Sequence, residues 1–242
     1  MQTCETLINL KGIRFSYEAS KPVLNGVNLL LKKGDRVGLT GANGSGKTTL
    51  LMVLVGLVKP TEGTVEIFGR QRTKERDFKE IREKIGFLFQ NPDDQLFCPT
   101  VIEDVAFGPL NLGMSRKEAI EIADRVLSEL GLSHLRERGS HRLSGGEKRL
   151  VSLATVLAMN PKILLLDEPV AGLDEETTAT VTEILERLPQ ERIVVAHDKE
   201  FLKRVTNQLF SIRKGVITPL GELENLAERE KSPILRPEGR AE

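Results

Sequence analysis

Residues 41–48 read Gly-Ala-Asn-Gly-Ser-Gly-Lys-Thr and satisfy the pattern G-x-x-x-x-G-K-[ST] in full. That pattern works only where a strand runs in and a helix runs out. Both flanks comply. Arg36–Thr40 is a short apolar stretch suited to a buried strand, and Thr48–Val58 has the length and leucine content of a buried helix. The residue types suit phosphate chemistry. Glycines let main-chain N–H groups turn inward and approach phosphate oxygens without a Cβ in the way. A helix beginning near Lys47 aims its positive end at the same place. Lys47 supplies a point charge for β- and γ-phosphates, and the Thr48 hydroxyl suits Mg²⁺.

A matching acid lies further along. Ile163-Leu-Leu-Leu-Asp167-Glu168 reads as a strand buried on both faces, delivering two carboxylates at its carboxyl end, where open α/β sheets bind ligands. Asp167 is the expected partner of the metal shell. Glu168 is the candidate to orient or deprotonate an attacking water.

Around these motifs the chain alternates strand and helix, as parallel α/β folds do. Strands are expected at Leu7–Tyr17, Thr64–Phe68, Ile85–Phe89, Lys162–Asp167 and Arg192–Ala196, with a further apolar run at Val27–Leu31. Helices are expected at Arg76–Lys84, Glu175–Leu188 and Lys199–Val205. Between Asn91 and Arg142 the pattern turns helical, with Val101–Leu110 and Arg116–Leu130. Ser115 and Glu118 form a capping box for the second of these, and Gly131 ends it. The stretch from Gly221 onward is charged, contains Pro233 and Pro237, and reads as a loosely packed appendage.

Composition removes several classes. Lys plus Arg equals Asp plus Glu at 35 each, so there is no basic excess of the kind that nucleic-acid binding uses, and no nucleic-acid partner is expected. Cys4 and Cys98 make neither a disulfide framework nor a metal-binding pair, and they fit a reducing compartment. The longest apolar run, Leu50–Val58, is interrupted by Gly56 and falls far short of the roughly 18 residues a membrane span requires. The N-terminus lacks the basic and apolar regions of a signal peptide, so a cytosolic product is expected, with any membrane work done through a partner.

The stretch Leu143-Ser144-Gly145-Gly146-Glu147-Lys148-Arg149 stands 21 residues before Glu168 (168 − 147) and just ahead of an apolar helix. It strongly resembles the signature motif of ATP-binding cassette ATPases. The resemblance spans roughly residues 5–220. It implies an α/β phosphate-loop NTPase core of cassette type, with an inserted α-helical subdomain and an N-terminal antiparallel β subdomain. The core would be residues 1–90 and 156–220, the helical subdomain 91–155, and the charged extension 221–242. ATP and Mg²⁺ are the implied ligands. A second glycine-rich helix start on one chain suits a head-to-tail dimer in which each chain caps its partner's nucleotide.

Further positions resemble the family's functional residues. Tyr17 is similar to the aromatic that stacks on adenine, with a half-buried strand tyrosine as the alternative. Gly41, Asn43, Gly44, Ser45, Gly46, Lys47, Thr48 and Thr49 match the phosphate loop. Gln90 matches the glutamine that reaches the metal and attacking water and links helical subdomain to core; Thr48 and Asp167 complete the metal set. Ser144, Gly145, Gly146, Glu147 and Asp174 match the contacts made across the dimer to the partner's nucleotide. His197 is similar to the switch histidine on the γ-phosphate, whereas His134 and His141 match no catalytic position. Val170 departs from the threonine or serine common after Glu-Pro, which bears on the geometry of the following loop.

Gln90-Asn-Pro-Asp-Asp-Gln95-Leu-Phe97, followed by Glu103-Asp-Val-Ala-Phe107-Gly-Pro-Leu-Asn-Leu-Gly113, resembles energy-coupling factor and cobalt-type importer ATPases. Such a subunit would work at the cytoplasmic face of the cell membrane with a transmembrane scaffold, a substrate-binding membrane protein and a second ATPase chain, for a vitamin, cobalt or nickel. Leu96, Phe97, Val101, Val105 and Phe107 are candidates for a docking surface beside Gln90, or else for packing within the helical subdomain. A conventional transporter ATPase, or a soluble cassette acting on ribosomes or DNA ends, remain the alternatives.

Overall fold

The computed structural model describes residues 5–18 and 20–222. Two sheets and a helical layer make up the molecule. The first sheet is antiparallel, in the order β2-β1-β4-β5, from β1 (Thr6–Glu18), β2 (Lys21–Lys32), β4 (Glu62–Ile67) and β5 (Arg70–Gln71). The second has six strands in the order β10-β9-β3-β8-β7-β6. Here β3 (Arg36–Thr40), β6 (Ile85–Leu88), β7 (Ile163–Asp167), β8 (Glu191–Val195) and β9 (Gln208–Arg213) run parallel, and β10 (Val216–Glu222) closes the edge antiparallel.

Strand β7 shows why the large sheet forms. All five of its residues are buried, and successive side chains point to opposite faces. Ile163 and Leu165 join one apolar cluster with the first sheet and with helix α1 (Lys47–Leu54), which lies between the two sheets. Leu164 and Leu166 join the cluster on the other face, with α6 (Glu175–Arg187) and α7 (Lys199–Val205). A separate apolar cluster binds α3 (Val101–Asn111), α4 (Arg116–Glu129) and α5 (Gly145–Ala158) into the helical layer. A short helix, α2 (Glu75–Arg82), leads into β6.

Helix α4 begins as its sequence requires. The Ser115 hydroxyl accepts from the Glu118 N–H at 3.3 Å, and the Glu118 carboxylate accepts from the Ser115 N–H at 2.8 Å. It ends as expected too, since Leu132 N–H reaches back to Leu127 O at 2.7 Å around Gly131. The same closure corrects α1, which stops at Leu54 rather than Val58. Leu57 N–H bonds to Met52 O at 2.9 Å and Gly56 N–H to Val53 O at 3.2 Å, with Gly56 left-handed at φ +72°. A glycine at that position turns the chain out of the helix while apolar residues continue. Two other expectations change. Val27–Leu31 is the end of a much longer strand, and Gly221 and Glu222 belong to β10 rather than to an appendage. The rest of that stretch, and Cys4, lie outside the described residues.

The helical layer is tied to the loop before α5 through a buried carboxylate. Asp104 accepts from the N–H groups of Phe97 (3.0 Å) and Cys98 (2.8 Å) and from the Ser140 hydroxyl (2.5 Å). Burial and the Asp104 charge push the Cys98 thiol up to about 11, so it stays protonated. Asp104→Ala strands three donors at once. Unsatisfied buried donors cost about 1–3 kcal/mol each, but only the Ser140 hydroxyl is fully buried, and the part-exposed Phe97 and Cys98 N–H groups can turn to water, so the variant should lose about 2–3 kcal/mol in urea unfolding, with α-helical content retained below the transition.

Candidate active site

Four parallel strands end on one edge, and the chemistry-bearing residues follow those ends. The phosphate loop leaves β3, Gln90 lies just past β6, Asp167 and Glu168 sit at and just past the end of β7, and His197 lies just past β8. A cavity of about 530 Å³ opens there, lined by Tyr17, Val23, Asn43, Gly44, Gly46, Lys47, Thr48, Thr49, Gln90, Asp167 and Glu168. Gly41 and Ser45, also in the loop, face a second concavity on its other side.

The loop is shaped by its own lysine. The Lys47 ammonium is buried and donates to Gly41 O (2.8 Å) and Ala42 O (3.2 Å), which curls residues 41–46 around it. Gly46 stands at the helix N-cap with φ +104°, and a Cβ there would come within 2.8 Å of Val23 O. Burial lowers the lysine's pKa, while Glu168 and Asp167 pull it back up.

Asp167 is 1% exposed, and neither carboxylate oxygen has a hydrogen-bond partner of normal geometry. Burial raises its pKa against the opposing pull of the neighbouring Thr48 hydroxyl, Lys47 and Arg149. Glu168 is also buried, at a left-handed φ of +49° that is uncommon for a residue other than glycine. Its pKa is raised by burial, with His197 and Lys47 opposing and Asp167 adding. His197 Nε2 lies 2.9 Å from Asn43 Oδ1 and 3.3 Å from Glu168 Oε1. The amide oxygen of Asn43 accepts, so in that contact the nitrogen carries the hydrogen, while Glu168 Oε1 makes no hydrogen bond. The arrangement is a desolvated cluster of opposite charges, the environment in which perturbed acids and bases occur.

Tyr17 is 64% exposed at the cavity rim, edge-on to Phe15 at 4.8 Å, with its hydroxyl 3.4 Å from Thr49 Oγ1. A ring so exposed is not a half-buried strand tyrosine.

The remaining candidates stand outside the cavity. Ser144 caps α5: its hydroxyl accepts from Glu147 N–H at 3.2 Å, and Glu147 accepts from Ser144 N–H at 2.7 Å. Ser144 and Gly145 are exposed. Asp174 caps α6, and the Thr177 N–H (2.8 Å) and hydroxyl (2.9 Å) hold its pKa down. The two helix starts touch, for a Cβ on Gly146 would lie 2.8 Å from Thr177 Oγ1.

Of the five apolar side chains after Gln90, Leu96, Val101 and Val105 are core. Phe97 and Phe107 are 64% and 43% exposed and pack edge-on at 4.8 Å.

Arg149 and Gln95 carry no role of their own in the sequence, yet both hold the segment around Gln90. Arg149 donates to Phe89 O at 2.8 Å and Gln90 O at 2.5 Å. Gln95 accepts from Phe89 N–H at 3.2 Å and donates to Ser152 O at 2.9 Å and Thr155 Oγ1 at 2.7 Å. An arginine one turn into the helix, just ahead of its mostly apolar run from Leu150, is the available signal.

Comparison with known proteins agrees with this geometry. The ABC transporter family model matches residues 24–171. A Brucella suis protein provisionally named an ABC transporter ATP-binding protein is 51% identical over 88% of each chain. The energy-coupling factor transporter ATP-binding protein EcfA of Methanothermobacter thermautotrophicus is 43% identical over 89% of this chain and 70% of its own. Among solved structures, CbiO1 of Clostridium perfringens, part of the ABC transporter complex CbiONQ, superposes with TM-score 0.81 at 30% identity, covering 94% and 92% of the two chains. A dimeric ATP-binding cassette in a post-hydrolysis state with ADP and Pi superposes with TM-score 0.82 at 29% identity, covering 90% and 99%. The chain belongs to the ABC transporter ATPase family, and it is an ATP-binding, ATP-hydrolysing cassette.

The loop geometry makes a direct prediction. Gly46→Ala forces a Cβ onto the Val23 carbonyl at a φ that disfavours side chains. The variant should fold but lose at least about tenfold in affinity for a fluorescent ATP analogue, since a distortion of about 1.4 kcal/mol already suffices.

Proposed function

We propose that this ABC transporter ATPase powers an energy-coupling factor type importer, as a peripheral subunit on the cytoplasmic membrane face. Among the described residues no helix is long and apolar enough to cross a membrane, and in this reading the transmembrane path is supplied by partners. The observation that carries the subtype is the Gln90–Gly113 stretch, in a chain 43% identical to an EcfA protein. Exposed Phe97, Phe107 and Leu110 beside a groove of about 420 Å³ support docking of an apolar helix from the transmembrane scaffold near Gln90. A substrate-binding membrane protein would then select the cargo, a vitamin or a cobalt or nickel ion. A second ATPase chain, identical or sister, completes the pair. Residues 1–90 with 156–220 act as the core, which the end of β10 carries on to Glu222, and 91–155 act as the helical subdomain.

In this reading ATP enters the cavity with its adenine on Tyr17 and its phosphates on the loop's N–H groups and Lys47. The residues present fit Mg²⁺: a buried carboxylate with unpartnered oxygens next to a hydroxyl is a hard-cation donor set that leaves room for phosphate oxygens. Among the described residues no cluster of three or more His, Cys, Asp or Glu offers an all-protein cage. Thr48, Asp167 and Gln90 would hold the ion, which supplies neutralisation of phosphate charge when bound.

Glu168 acts on the water. With its pKa raised by burial, it accepts the proton as the water oxygen bonds to the γ-phosphorus and the bond to the β-bridging oxygen breaks. His197 keeps Glu168 and Asn43 in place and contacts the γ-phosphate. Ser144, Gly145, Gly146, Glu147 and Asp174 act on the partner's nucleotide, so hydrolysis and reopening drive a rigid-body cycle.

Two variants and one purification test this. Lys47→Ala should abolish ATP binding. Glu168→Gln should bind ATP, hydrolyse it about 10²–10⁴-fold more slowly and run as a dimer in light scattering with ATP. Normal turnover by that variant removes Glu168 from its role. Tagged protein taken from gently solubilised host membranes should bring down a small scaffold and a compact substrate-binding protein. Two ordinary permeases would discard the subtype, and ribosomal proteins alone would discard the importer.

A further inference from the structure

We propose that Arg149 is a positioning residue for Gln90, so that the helix started by Ser144 sets where Gln90 stands in the cavity. The inference rests on the reading of Gln90 as part of the hydrolytic site.

Arg149 is 3% exposed, and its hydrogen bonds go to two main-chain carbonyls, Phe89 O and Gln90 O, with Nε unpartnered. No carboxylate receives one. Taking a guanidinium out of water for two neutral acceptors is a poor way to glue a helix to a sheet, since an apolar side chain of similar volume would do so at lower cost. What a guanidinium does supply is a rigid fork. Here the fork spans successive carbonyls and fixes the peptide that joins the end of β6 to Gln90.

Two further ties join the same segment to α5. Gln95 binds Phe89, Ser152 and Thr155, and Lys148 pairs with Asp93 at 2.6 Å. Neither reaches Gln90. Arg149 alone among these holds the residue that lines the cavity, and it does so from one turn inside a helix whose first residues are exposed. A displacement of α5 is therefore passed to Gln90 through two hydrogen bonds. Burial lowers the pKa of Arg149, and the Asp167 and Glu168 carboxylates oppose that shift.

A double-mutant cycle on the full chain separates positioning from bulk structure. Arg149→Met and Arg149→Lys are measured in the wild-type and Gln90→Ala backgrounds, by steady-state ATP hydrolysis, with ADP binding as a check of folding. Arg149→Met should lower kcat about tenfold, the usual scale for a residue that orients a functional one, with KM for ATP changed less than about twofold. Arg149→Lys, which keeps one bond to a carbonyl, should recover part of the loss. In the Gln90→Ala background Arg149→Met should cost less than about twofold more, because no side chain is left to place.

An equal loss in both backgrounds, or a rise in KM matching the fall in kcat, would make Arg149 merely structural and overturn the proposal. If Gln90→Ala alone turns over like wild type, the assignment of Gln90 has failed instead. If Gln90→Ala is slow while Arg149→Met is not, Arg149 has failed and Gln90 stands. Should the methionine variant not fold, Arg149→Lys and Arg149→Gln replace it in the cycle, and the same two patterns of loss decide for or against positioning.

Discussion

Charge withdrawn from water organises this molecule. Lys47, Asp167 and Glu168 are each buried, and each is penalised for it. None of them would be tolerable alone, and their mutual attraction offsets part of the cost. That arrangement demands strands that end together, which only adjacent parallel strands provide. It also demands that the lysine be gripped before any phosphate arrives, and the Gly41 and Ala42 carbonyls do this. Two-face burial of β7 then follows as a necessity, because a strand that must place Asp167 and Glu168 in a dry cleft needs apolar layers above and below it.

The joint between the helical layer and the sheet has two parts. Leu153 and Val156 of α5 pack in one apolar cluster with Leu88 of β6 and Leu164 of β7, whereas the segment after β6 is held by directed polar contacts from Arg149, Gln95 and Lys148. Apolar contacts are indifferent to small slides, whereas hydrogen bonds have a preferred direction. The layers are thus joined where direction matters and simply packed where it does not.

Much of this is legible in the residues. The phosphate loop, the buried ILLLD strand and the capping box at Ser115 each combine a local rule with a global one, so the sequence permits few alternatives. Helix α1 is shorter than its composition suggests because Val55, Leu57 and Val58 continue the apolar run past the turn, and only Gly56 marks the stop. The β9–β10 hairpin has a weaker signature, the alternation of Gln208–Arg213 and the Lys214-Gly215 turn, with no chemical motif beside it. Arg149 and Gln95 are illegible for a physical reason. Their partners are main-chain atoms and a hydroxyl some 60 residues away, and a carbonyl leaves no mark on the sequence.

Gly146 sits where two such logics meet. In the sequence it is one more glycine of an anion-binding turn. In the folded chain its bare Cα also lies against Thr177 at the start of α6, a helix that belongs to the sheet's side of the molecule. The bare Cα is what lets the helical layer and the sheet's side of the molecule meet this closely, so a methyl group there would wedge the two helix starts apart whatever else the glycine serves.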